Sequence, residues 1–129
     1  MKAKVLLIED NEQNRYLMNF LLDKHGYAVV EAFDGPQGVK LAAEELPRLI
    51  LLDIQLPTMD GYAVARALRA NPALENIPII AVTSYAMAGD REKALAAGCT
   101  GYIEKPINPA TFMARIERYL DNPPTESSP

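Results

Sequence analysis

Glu9, Asp10, Asp53, Thr83 and Lys105 each stand just beyond a short apolar run of this chain. Glu9-Asp10 follow Val5-Leu6-Leu7-Ile8, and Asp53 follows Leu49-Ile50-Leu51-Leu52. Thr83-Ser84 follow Ile79-Ile80-Ala81-Val82, and Glu104-Lys105-Pro106 follow Tyr102-Ile103. If the runs are strands of one parallel sheet, these groups meet at a single edge. Carboxylates brought so close repel, and each raises its neighbours' pKa. Protonation relieves the repulsion, and so does a hard divalent cation with oxygen ligands, such as Mg²⁺. A cation there would also neutralise an incoming phosphoryl group. Asp53 is the candidate nucleophile, because carboxylates form acyl-phosphate intermediates. Lys105 would meet the phosphoryl oxygens as a point charge, and the Thr83 hydroxyl would donate to another. Phosphoryl transfer needs mostly positioning and charge, so few residues suffice. Taken singly, Asp10 is explained as a helix cap, Thr83 as a β-branched strand residue and Lys105 as a solvated charge. Asp53 is harder to explain as a cap, because Asp60 stands closer to the next helical pattern. Their convergence on one edge favours a site.

The elements that hold these groups follow from periodicity. A further run, Ala28-Val29-Val30, brings the strands to five, and several are apolar at consecutive positions, as in parallel strands covered on both faces. Helical spacing separates them. Leu17, Phe20, Leu21 and Lys24 share one face of the first helix, with Asn11 as its N-cap. Val39, Ala42, Ala43 and Leu46 form the stripe of the second, with Pro36 near its start, where a missing N–H costs little. Val64, Ala65 and Leu68 serve the third, capped by Asp60, and Phe112, Met113, Ile116 and Leu120 the fifth, opened by Asn108-Pro109. The fourth, around Gly89 to Ala97, is rich in Ala, so its packed face is expected to be thin. Strict alternation predicts an α/β fold, a five-stranded parallel sheet with right-handed crossovers and helices on both sides. Ligands of such sheets bind beyond the carboxyl ends of the strands, where the strand order reverses.

Composition narrows the partners. The 129 residues suit one domain, and 49% hydrophobic residues can form a sizeable core. A net charge of -4 argues against direct binding of nucleic acid, which rewards clustered Lys and Arg. The lone Cys99 cannot form an internal disulfide and reads as a buried, inert thiol. The first apolar run is too short for a signal peptide or a membrane span. A cytoplasmic location without membrane contact is expected. Residues 122–129 hold three prolines and two serines without an apolar run and read as a disordered tail or linker stub beyond a domain at 1–121.

Ile8-Glu9-Asp10-Asn11, Leu52-Asp53 with Ile54-Gln55-Leu56-Pro57-Thr58-Met59-Asp60-Gly61, Ala81-Val82-Thr83 and Glu104-Lys105-Pro106, in this order and spacing, resemble the CheY-like response-regulator receiver domains. The likeness spans nearly all of Lys4 to Leu120. It implies a doubly wound (βα)5 fold with sheet order 2-1-3-4-5. It implies that Asp53 takes a phosphoryl group from a sensor histidine kinase or histidine phosphotransfer protein. Asp10, Asp53 and the main-chain carbonyl of Gln55 would hold Mg²⁺, with Glu9 assisting through water. Thr83 would turn toward the phosphoryl group, Tyr102 would move inward with it, and Lys105 would pair with the phosphoryl group beside a cis Lys105-Pro106 bond. A downstream protein would read the surface of helix 4, strand 5 and helix 5. The chain would then be a phosphorylation-controlled binding switch and not an enzyme. Asp-Ile-Gln-Leu-Pro, Met59-Asp60-Gly61 and Tyr85-Ala86-Met87-Ala88-Gly89-Asp90 resemble both stand-alone cell-cycle and polar-differentiation regulators and receiver modules of hybrid histidine kinases or phosphorelay intermediates. A start at Met1 without an output domain favours the stand-alone reading.

Other classes fit less well. A phosphatase of the haloacid-dehalogenase kind carries a second aspartate two residues after its nucleophile, where this chain has Gln55, and there is no room for a cap domain. A flavodoxin-like cofactor binder needs a Ser/Thr/Gly-rich loop after its first strand. Here that loop is Glu9-Asp10-Asn11-Glu12. A degenerate receiver is disfavoured because every site residue is present. His25, at the end of the first helix, reads as a C-terminal helix charge. Tyr16, Tyr27, Tyr62 and Tyr119 read as packing or contact residues, and Arg115 and Arg118 as a solvated face.

Overall fold

Alternation along the strands divides the core into two layers. Val5, Leu7, Leu49, Leu51, Ile80, Val82 and Ile103 point to one side of the sheet, and Leu6, Ile8, Ile50, Leu52, Ile79 and Ala81 to the other. The computed structural model describes residues 3–56, 59–84 and 89–121. Its elements run β1 (Lys4–Ile8), α1 (Glu12–Lys24), β2 (Ala28–Ala32), α2 (Gly35–Glu45), β3 (Leu49–Asp53), α3 (Gly61–Arg69), a 3₁₀ turn (Pro72–Leu74), β4 (Ile79–Thr83), α4 (Asp90–Ala96), β5 (Gly101–Glu104) and α5 (Pro109–Asp121). All strand pairs are parallel, in the order β2-β1-β3-β4-β5. The chain steps from β1 outward to β2 and then returns to the far side of β1 for β3. The switch point therefore lies between β1 and β3.

Met18, Leu21 and Leu22 of α1 and Phe112, Met113 and Ile116 of α5 cover the first layer. Ala42, Val64, Ala65, Leu68 and Ala94 of α2, α3 and α4 cover the second. Caps fix the helix starts close to where the chain predicts them. Asn11 Oδ1 accepts from Asn14 N at 2.9 Å, Asp34 Oδ1 from Gln37 N at 2.8 Å, Asp60 Oδ1 from Tyr62 N at 3.0 Å and Asn108 Oδ1 from Ala110 N at 2.9 Å.

Two helix faces differ from the periodic reading. On α1 the buried stripe is Met18, Leu21 and Leu22, whereas Phe20 is 52% exposed. Phe20 lies two residues, about 200°, round the helix from Met18. On α2 the inward positions are Gly35, Gly38 and Ala42, while Ala43 is exposed and Leu46 turns out at the left-handed C-cap with φ 46°. A Cβ on Gly38 would stand 2.5 Å from Ile8 Cδ1, so this helix packs through missing side chains that a count of apolar residues overlooks.

Gly61 opens α3 against the loop after β3. Its N–H donates to Ile54 O at 3.1 Å, and an added Cβ would collide with the Ile54 backbone. Backbone cannot yield as a side-chain tip does. Gly61→Ala is expected to lose about 3 kcal/mol of stability by overpacking, measurable as a lower urea midpoint. A midpoint equal to the parent's would show that the loop relaxes freely.

Candidate functional site

Register explains why two acids meet. Ile8 pairs with Leu52 and Asp53 with Val82, so Glu9 lies level with Asp53 on the same side of the sheet as Val82. Asp10 and Thr83 fall one position along and project to the opposite side. Lys105 follows β5 and returns to the side of Glu9 and Asp53. The edge is thus a packed row of two acids and a lysine, with Asp10 and Thr83 bordering an open cleft. That cleft, about 500 Å³, is also lined by Gln55, Asp60, Tyr62 and Asp90.

Glu9, Asp53 and Thr83 are buried, whereas Asp10 is exposed. Lys105 Nζ stands 3.0 Å from Glu9 Oε1 and 3.4 Å from Asp53 Oδ1. Glu9 Oε2 accepts from Asn11 N at 3.1 Å, and Asp53 Oδ1 from Gln55 N at 2.9 Å. Although the ammonium is near, Glu9 Oε1 is a buried oxygen with no donor in hydrogen-bonding alignment. The Asp53 carboxyl is pushed up from 3.8 to about 7, chiefly by burial and then by a hydrogen bond and charge shared with Glu9, against the Gln55 N–H and Lys105, which lower it. Oxygens of Glu9, Asp10 and Asp53 all lie within 4.8 Å of one another. Three carboxylates, one with an unaligned buried oxygen, form a donor set suited to a hard divalent cation.

The groups around this centre are held from several elements. The Lys105-Pro106 bond is cis. The half-buried Gln55 uses both ends: its N–H binds Asp53, and its Oε1 accepts from Ser84 N at 3.1 Å, tying the loop after β3 to the end of β4. Tyr102 is buried on β5 beside Ala81, its register partner, and Arg115 donates to its carbonyl at 3.0 Å. Arg115 is therefore tied to β5, not merely solvated. The loop carrying Glu9 and Asp10 is gripped by Arg15, whose Nη1 donates to Glu9 O at 3.1 Å and Asp10 O at 3.2 Å. Sequence reasoning missed Arg15. The signal was available: a cation in the first turn of a helix opposes the helix dipole and needs a reason.

Residues outside the site are structural. Cys99 is buried, and burial raises its thiol to about 11. Arg69 donates to Gly98 O at 2.7 Å, Leu74 O at 2.7 Å, Ile77 O at 2.8 Å and Thr100 Oγ1 at 3.1 Å, fastening the C-terminal end of α4 to α3 and β5. His25 is the C-cap of α1, and its Nδ1 bonds Leu21 O at 2.9 Å. Tyr27 donates to Glu117 at 3.1 Å, while Tyr16 is 73% exposed. Pro57, Thr58, the segment 85–88 and the tail 122–129 lie outside the described residues. Among the described residues no helix is long and apolar enough to cross a membrane.

This fold and edge define a class, and a family model for the response regulator receiver domain matches residues 5–117. The chain belongs to that family. It is 42% identical over 120 residues to the polar-differentiation response regulator DivK of Brucella anthropi, covering 93% of this chain and 98% of that one. In structure it is similar to the receiver domain of a Pseudomonas aeruginosa sensor histidine kinase, which has a magnesium ion coordinated in its active-site cleft. That match has TM-score 0.87 and 36% identity, covering 94% of this chain and 99% of the other. The chemotaxis protein CheY4 of Vibrio cholerae superposes with TM-score 0.87 at 29% identity, covering 92% and 98%. The chain is a response regulator receiver domain of two-component signalling, with both a DivK regulator and a histidine-kinase receiver among its relatives.

Proposed function

We propose that Asp53 accepts a phosphoryl group from a sensor histidine kinase or a histidine phosphotransfer protein, and that the chain works as a binding switch without turning over an external substrate. The observation that carries this reading is the buried Asp53 carboxyl, set between Glu9 and the Lys105 ammonium at the open end of the switch point. Asp10, Asp53 and the Gln55 carbonyl would hold Mg²⁺, with Glu9 supporting them. The unaligned Glu9 oxygen and the three clustered carboxylates fit that ion. When bound, Mg²⁺ supplies positive charge that offsets repulsion between the carboxylates and an incoming phosphoryl group. An Asp53 oxygen forms the new bond to phosphorus as the bond to the donor's leaving group breaks. Lys105 neutralises the phosphoryl oxygens, and the Thr83 hydroxyl donates to one of them. Thr83 and Tyr102 lie on the same face of neighbouring strands, so the movement of one alters the packing of the other. The face of α4, β5 and α5 then favours a downstream protein, a population shift between two surfaces. Residues 1–121 form the working domain.

A second reading, a receiver module of a hybrid kinase or a phosphorelay intermediate, is supported by the likeness to the kinase receiver. Onward transfer from Asp53 to a histidine phosphotransfer protein would favour it. The primary test is intact mass after incubation with acetyl phosphate, with and without Mg²⁺, on the parent and Asp53→Asn. One adduct requiring both Mg²⁺ and Asp53 is expected. An adduct of equal yield in Asp53→Asn, or none in a folded parent, would sink the assignment.

A further inference from the structure

We infer that Arg15, seated on the Phe33 ring, is a positioning residue for the cation site, a clamp that sets the direction of the Asp10 carboxylate. The inference rests on the cation reading above. Arg15 is in the first turn of α1, yet its guanidinium folds back over the start of its own helix to bind the carbonyls of Glu9 and Asp10 at 3.1 and 3.2 Å. A cation there works against the helix dipole. Two charge-assisted hydrogen bonds and the face of Phe33, 4.2 Å from the guanidinium carbon to the ring centroid, offset that cost.

The clamp acts on the part of the site with the least support of its own. Glu9 is anchored through Asn11 N–H and Lys105, and Asp53 through Gln55 N–H and Lys105. The Asp10 carboxylate is exposed and takes no hydrogen bond from the described residues. Its direction therefore depends on the backbone that launches it. Holding the carbonyls of residues 9 and 10 fixes the peptide planes on both sides of Asp10, and so its φ and ψ. Phe33, just after β2, is itself steadied by donating its N–H to Gln37 Oε1 at 2.8 Å. The three carboxylates are thus kept within reach of one ion by a residue that touches none of them.

Charge and positioning predict opposite signs for one substitution. Removing a cation near three carboxylates should by itself tighten Mg²⁺ binding, whereas loss of the clamp should weaken it. Mg²⁺ titrations followed by amide NMR shifts, on the parent, Arg15→Gln and Phe33→Leu, separate the two. Five- to tenfold weaker binding is expected for Arg15→Gln. A smaller loss is expected for Phe33→Leu, which changes no charge and replaces a half-exposed side chain, so its folding is not in question. Faster hydrogen exchange at the Asp10 and Asn11 amides should accompany both, with urea midpoints near the parent's. Equal or tighter binding in both variants, with a parent that binds Mg²⁺, overturns the clamp alone. A folded parent that binds no Mg²⁺ overturns the clamp and the cation reading together.

Discussion

Asp53→Asn, measured without divalent cations at pH 7.5, is expected to be more stable to urea than the parent by about 2 kcal/mol. The sign follows from linkage. The folded Asp53 carboxyl titrates at about 7 against an ordinary 3.8, chiefly because burial disfavours its charge. Between those values the folded state holds a proton that the unfolded chain has released, so stability falls as pH rises. The contribution is complete below 3.8 and is lost as pH climbs through about 7. The full displacement would correspond to about 4 kcal/mol at roughly 1.4 kcal/mol per pKa unit. We expect about half, because Glu9 and Lys105 readjust when Asp53 ionises. Asn keeps an acceptor for the Gln55 N–H and has no charge to desolvate. Urea midpoints from pH 4 to 8 should slope downward for the parent and stay nearly level for the variant. A level profile for the parent would mean that Asp53 is ionised throughout. Saturating Mg²⁺ should close most of the gap, since it binds the folded parent and not the unfolded chain.

Lys105→Met is expected to move stability and cation affinity in opposite directions. Its ammonium lies 3.0 Å from Glu9 and 3.4 Å from Asp53, with only 9% of the side chain exposed. No other ion pair to these two acids occurs among the described residues. Breaking a buried pair by removing one partner leaves uncompensated charge, and a loss of about 3 kcal/mol is expected at pH 7.5 in chelator. The same ammonium competes with a divalent cation for the same oxygens. Its removal should tighten Mg²⁺ binding severalfold, so Mg²⁺ should raise the urea midpoint more in the variant than in the parent. The mass adduct from acetyl phosphate should meanwhile form more slowly, because the positive charge facing the phosphoryl oxygens is gone. Weaker Mg²⁺ binding in the variant would show that Lys105 organises the carboxylates instead of competing for them.

Much of this was legible before any coordinates. Consecutive apolar residues in Leu49–Leu52 and Ile79–Val82 demand strands buried on both faces, and strict alternation with helices leaves a parallel sheet. A strand's period of two then sends neighbouring residues such as Glu9 and Asp10 to opposite sides, and one proves buried and the other exposed. What escaped was set by contact across space. The inward face of α2 is made of Gly35 and Gly38, whose value lies in how near Ile8 can come, and hydrophobic periodicity counts them as nothing. Phe20 resembles a core residue, but α1 turns Met18 and Leu22 inward instead. The bond from Gln55 to Ser84 crosses 29 positions and has no local sequence signature, while the misplaced charge of Arg15 marks the residue but not the carbonyls it reaches back to.

The thin seat of α4 has a thermodynamic meaning. Within its seven residues only Ala94 is buried, its Gly89 cap offers no side-chain hydrogen bond, and Leu95 is 42% exposed. By contrast, β3 and β4 are buried at every position. Opening α4 exposes little apolar surface, so its local unfolding lies far below the global barrier while the sheet exchanges only when the whole domain unfolds. Mechanical compliance and chemical rigidity are thereby assigned to different elements. The proposed phosphoryl acceptor Asp53 stands on one of the stiffest strands, and the face we propose for another protein includes the helix that takes least work to deform.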